Sequence, residues 1–124
     1  MTKDELLTRL TILHDQNVIN EQAFEVTTTA FEKLIEYLQI DNVIQAEMLF
    51  THLPTALTRI SQGEEVDGPS EEMLAEVILS NYYPFAKQQV EYVEEIWENA
   101  LPKAEIDFLL LHYTTVITIN KGGN

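Results

Sequence analysis

Apolar residues recur every three or four positions along nearly the whole chain, and polar clusters cut that rhythm into blocks of helical length. Thr2 followed by Glu5 is a capping-box pattern, and Leu6, Leu10 and Leu13 continue behind it on one face. The polar run Asp15-Gln16-Asn17 closes this first helix. Asn20 is the expected cap of a second helix, in which Phe24, Phe31, Leu34, Ile35 and Leu38 share a face. Thr27-Thr28-Thr29 is its weak point, because β-branched residues lose side-chain freedom in a helix. Asp41 is the expected cap of a third. There Val43, Ala46, Phe50, Leu53, Leu57 and Ile60 form a narrow seam of the coiled-coil kind. Pro54 falls inside that seam, and its ring should clash with the Phe50 carbonyl, so a kink or break is expected. Ser61-Gln62-Gly63 ends the helix.

Residues 64–69 carry the longest loop signal. Ser70 caps a short helix with Leu74, Val77 and Ile78, and Asn81 to Pro84 reads as a break. From Pro84 the positions Ala86, Val90, Val93, Trp97 and Ala100 again fall on one face. Pro102 suits the first position of a last helix, which is apolar nearly all round from Ile106 to Ile119 and is therefore expected to be buried. The β-branched stretch from Thr114 to Ile119 has strand propensity, but nothing else in the chain could pair with it, so helix is preferred. Lys121 and Gly122 suit its end. The expected architecture is all-α: a compact bundle of five to six helices forming a single domain over residues 1–124.

Composition narrows the chemistry. The chain of 124 residues has 45% hydrophobic and 23% charged residues, an ordinary globular balance. It has no cysteine, which excludes disulfides, thiolate metal sites and cysteine nucleophiles. Its net charge of −14 repels phosphate backbones and anionic lipid, so no nucleic-acid and no membrane partner is expected. The seven basic residues (Lys3, Arg9, Lys33, Arg59, Lys87, Lys103 and Lys121) are scattered and form no stripe. Charges inside the first apolar stretch argue against a signal peptide, and the uncharged run from Phe108 to Asn120 is too short to span a bilayer. The strong enzyme signatures are absent, among them a glycine-rich phosphate loop, a nucleophile elbow and paired Glu-x-x-His or His-Glu-x-x-His metal motifs. Glu91, Glu94, Glu95 and Glu98 read as a solvated face rather than a metal site. The expectation is a non-enzyme without cofactor or metal.

Two histidines stand out. His52 and His112 each lie in an apolar helix, at positions that should be partly buried, whereas His14 sits in a polar helix end. Such histidines commonly serve packing, by hydrogen-bonding a carbonyl or sitting at an interface. A neutral imidazole is also a good nucleophile near its ordinary pKa of about 6.5 and can take a phosphoryl group from an activated donor.

The stretch from Met48 to Leu53, followed by Leu57 to Gly63, resembles the first-histidine block of the PTS regulation domain, the PRD family. The stretch from Leu101 to His112 resembles the second-histidine block. The intervening helix, the Tyr82-Tyr83-Pro84 break and the helix ending at Trp97 follow the same order, and the resemblance runs roughly from Asn20 to Ile119. It implies a compact, dimerising helical bundle that regulates bacterial carbohydrate operons from the cytoplasm. The phosphoryl donor would be the phosphocarrier HPr or a permease component of the sugar phosphotransferase system, acting on His52 and His112. Arg59 and Glu105 would be supporting positions. Two residues depart from the pattern: Thr51 stands where many members have an acid, and Pro54 follows closely. Both place His112 ahead of His52 as the expected acceptor. Typical regulators carry two such domains beside an effector module. A stand-alone copy would therefore act by homodimerisation or by docking on a partner regulator. The alternative keeps the fold and drops the phosphorylation, with both histidines merely packed.

Among the basic residues, Arg59 lies seven positions after His52, on the same helical face, and could reach a phosphate there. Lys103 and Lys121 both lie nine positions from His112, so modification there is expected to loosen the dimer and modification of His52 to be closer to neutral.

Overall fold

The computed structural model describes residues 1–122 and consists of six helices, with no strand among the described residues. They are α1 (Lys3–Asp15), α2 (Glu21–Leu38), α3 (Glu47–Ser61), α4 (Glu71–Ile78), α5 (Tyr83–Trp97) and α6 (Lys103–Asn120). The all-α expectation is met. α2 packs against α1, α3 and α5, and α6 packs against α3, α4 and α5. An aromatic chain links the middle layers: Phe31 of α2 meets Phe50 of α3 at 5.0 Å, and Phe50 meets Tyr113 of α6 at 6.3 Å. Burial pushes the Tyr113 phenol far above its ordinary pKa.

The local signals hold where they depend on neighbours in sequence. The Thr2 hydroxyl accepts from the Glu5 N–H, and the Glu5 carboxylate accepts from the Thr2 N–H, so the capping box is complete. Asn20 and Ser70 accept from Ala23 and Met73 as N-caps. α2 runs unbroken through its three threonines, with Thr27 buried and the Thr28 hydroxyl donating to the Phe24 carbonyl. The β-branched end of α6 is helical to Asn120.

Several expectations are corrected. Asp41 does not cap α3, which begins six residues later. Residues 41–46 are instead pinned from two sides. Val43 exchanges backbone hydrogen bonds with Met1, and the Asn120 side chain both accepts from the Ile44 N–H and donates to its carbonyl. Distant partners thus replace the i→i−4 bonds a helix would have made. Pro54 does not break α3 either. An interior proline costs about 3 kcal/mol. Phe50, Leu53 and Leu57 are all fully buried around it, and each such side chain returns about 1.5–3 kcal/mol. Hydroxyls also serve the local carbonyls: Thr55 donates to Thr51 and Thr58 donates to Pro54.

Smaller shifts concern the ends of α5 and α6. Tyr83, expected in the break, is the first residue of α5, and that helix stops at Trp97 with Glu98 left-handed, leaving Ala100 exposed outside it. Pro102 is the cap of α6, not its first residue. The expected seam is covered within the chain: Phe50, Leu53 and Leu57 of α3, with Val43 and Ala46 just before it, are buried in the core, and Ile60 is half-buried against it. It therefore leaves no free stripe for a second copy.

Candidate functional site

Glu105, Phe108 and His112 step by three and then four along α6, which puts them on one face, and that face meets His52 of α3. The His52 Nε2 atom lies 2.9 and 3.0 Å from the two oxygens of the Glu105 carboxylate. Glu105 is fully buried, whereas the His52 side chain is 23% exposed. A carboxylate without exposed surface needs compensation. Glu105 has two sources: the imidazole N–H, and the amide end of α6, in whose first turn it sits.

The Phe108 ring lies between the two imidazoles. It stacks on His52 at 3.7 Å between centroids and meets His112 at 4.1 Å with the rings tilted by 34°, and the two histidines are 6.4 Å apart. Burial, and secondarily the His52 ring, hold the His112 pKa below the usual histidine value. His112 therefore favours the neutral form.

A carboxylate only accepts hydrogen bonds, so the Nε2 side of His52 is the one that donates to Glu105, and in the neutral tautomer that this contact selects, the lone pair lies on Nδ1. Nδ1 has no partner among the described residues and is not one of the sealed, unpartnered polar atoms, which are Thr27 Oγ1, Trp97 Nε1, Tyr113 Oη and Thr114 Oγ1. The nucleophilic nitrogen of a neutral His52 is thus open. His52 borders a cleft of about 720 Å³ that also touches Arg9, Thr51, Thr55, Arg59 and Phe108. Arg9 reaches it from α1 and donates to the Thr51 hydroxyl at 2.7 Å. Glu47, Glu65 and Asp67 line the same cleft.

Of the residues singled out in the sequence, the structure brings together His52, Glu105 and His112, and places Arg59, exposed, on the cleft wall. His14 lies apart, 3.3 Å from Glu21 and edge-on to Phe24. Arg9 was not legible, because its contact spans 42 residues. Thr51, a departure from the family pattern, is the group that holds it. Phe108 was visible only as an apolar neighbour of His112.

The model of the PRD domain matches residues 41–116, more than half of the chain, and contains both histidines and Glu105. The chain belongs to the PRD domain family. PRD domains are regulatory modules of the phosphotransferase system rather than catalysts. No curated protein and no solved structure matches the chain. α1, which carries Arg9, lies outside the matched segment, as do the whole of α2 and the last residues of α6. No helix of the described residues is long and apolar enough to cross a membrane.

Proposed function

We propose that this PRD domain is a histidine-phosphorylated switch of sugar phosphotransferase control, acting in the cytoplasm of a bacterium. HPr or a permease component donates the phosphoryl group, and His52 and His112 accept it. The observation that carries the reading is the His52–Glu105 pair, which leaves a nucleophilic Nδ1 open beside a cleft with two arginines.

That geometry moves His52 ahead of His112 as acceptor. The two reasons for ranking it second fall away, because Pro54 leaves α3 continuous and Thr51 anchors a cation. The cleft beside His112 is lined by Gln45, Glu47, Met48, Leu49, Met73, Leu111, Thr115 and Val116, with no basic residue. A phosphate of about −2 charge would be poorly compensated there. Met48 and Met73 on that cleft are 67% and 47% exposed, and Ile44 nearby in sequence is 58% exposed. This apolar surface supports homodimerisation or docking on a partner regulator beside His112, so that its phosphorylation loosens the contact.

The test is incubation with phosphorylated HPr and with phosphorylated permease components, followed by mass spectrometry under alkaline conditions, where phosphohistidine survives. Label on His52, lost in His52→Ala, is expected, with a smaller share on His112. No label from any donor would sink the proposal. One set of contacts favours the second reading, a packed interaction domain without phosphorylation: Glu105 and Phe108 already give His52 a complete structural role.

A further inference from the structure

We propose that Arg9, on the helix outside the matched PRD segment, is the phosphoryl-binding arginine of the His52 site and is held ready for it by Thr51. The inference rests on His52 being an acceptor and adds what receives the charge. Three observations on the cleft carry it. Arg9 donates to Thr51 at 2.7 Å, and Thr51 directly precedes His52 on α3. Both border the cleft onto which His52 opens. Arg9 makes no ion pair among the described residues, although Glu47, Glu65 and Asp67 share the cleft with it. A guanidinium spent on a neutral hydroxyl, in a chain with three acids for each base (21 against 7), keeps its charge for a stronger acceptor.

The step balances with phosphoramidate as donor. The lone pair of His52 Nδ1 forms the new nitrogen–phosphorus bond as the donor's nitrogen–phosphorus bond breaks. The donor nitrogen, which carries three protons in the zwitterionic form of phosphoramidate, keeps that electron pair and leaves as ammonia. The Nε2 proton stays on the Glu105 side of the ring. Arg9 then exchanges the Thr51 hydroxyl for phosphoryl oxygens, a charge-assisted and forked contact in place of a neutral one. Arg59, exposed on the same wall, is available as a second cation. Because Arg9 belongs to α1, modification of His52 changes what α1 holds on to. The state of the site is thereby passed to an element beyond the matched segment.

The experiment treats the full chain with phosphoramidate, which removes any docking contribution of a protein donor. The rate of labelling is read at His52 by alkaline mass spectrometry. Arg9→Gln is expected to slow it about tenfold, the worth of one charge-assisted hydrogen bond, and Arg9→Lys to recover part of the loss. A merely structural arginine would not affect the second measurement, a 31P titration of the labelled wild-type chain. The second ionisation of the phosphoryl group on His52 should fall at lower pH than in free phosphohistidine, and this needs no variant to fold. Equal labelling of wild type and Arg9→Gln, or a phosphoryl ionisation no lower than the free value, overturns the role of Arg9 and leaves the phosphorylation reading standing. No label on His52 in the wild type overturns both.

Discussion

A carboxyl group with no exposed surface, as at Glu105, is held by few partners, and removing either side leaves the other uncompensated. Glu105→Ala deletes the acceptor for His52 Nε2 and opens space between α3 and α6. It should cost about 2–4 kcal/mol in urea unfolding. Glu105→Gln keeps the shape and one acceptor oxygen and should cost about half as much. A loss below about 0.5 kcal/mol for the alanine variant would show that the pair is not a strut of the fold. His112 gives a pH prediction. Its folded pKa is depressed, so between that value and the unfolded value of about 6.5 the unfolded chain binds the extra proton. The contribution of neutral His112 is complete above about pH 6.5 and is lost as pH falls through the folded pKa. His112→Gln should therefore show a shallower loss of stability than wild type between about pH 7.5 and 5, with parallel slopes above that range. Parallel slopes throughout would contradict the depressed pKa.

At the scale of elements, capping signals proved readable because donor and acceptor lie within three residues of one another, as at Asn20 and Ala23. Asn20 is also bound from outside its helix: its backbone N–H donates to the Thr58 hydroxyl and its side-chain amide donates to Ser61. Asn20→Ala keeps the backbone bond to Thr58 but loses both the cap and the Ser61 bond, so it should exceed the usual cap loss of about 1 kcal/mol, reaching about 2 kcal/mol by chemical denaturation. A loss near 0.5 kcal/mol would mean that the Ser61 bond contributes nothing. Pro54 tests the opposite case, a local signal overruled by burial. Pro54→Ala restores an N–H for the Phe50 carbonyl and gives up a buried ring. The helix gain of about 3 kcal/mol exceeds the packing loss of about 1–2 kcal/mol, so a net stabilisation near 1 kcal/mol is expected. The urea midpoint should rise without a change in slope. Asp41 failed as a cap for the same class of reason: Met1 and Asn120, far away in the chain, claim the backbone of residues 41–46.

For the whole molecule, the expectation of a dimer, which the family resemblance implies, gains nothing from the seam of α3, because that is filled from within the chain. It rests instead on the exposed Met48 and Met73 beside His112. Met48→Glu removes no core contact and should leave unfolding within about 0.5 kcal/mol of wild type. It should also shift a dimer toward monomer in light scattering at high micromolar concentration. Unchanged mass for a dimeric wild type would place the interface elsewhere, and a monomeric wild type would remove the dimer from the proposal.

The residue pattern alone determined the helical class, a bundle of five to six helices, the caps of α1, α2 and α4 and the burial of much of α6, because each depends on spacings of three or four residues along one chain. It also marked His52, His112, Arg59 and Glu105, through blocks that resemble the family which the match over residues 41–116 then showed. Only the tertiary structure decided that Glu105 faces His52 across 53 residues, and that Phe108 stands between the imidazoles. It alone brought Arg9 to Thr51 from a helix outside the match. Which helix faces meet depends on the packing of the whole core, and no local period carries that information.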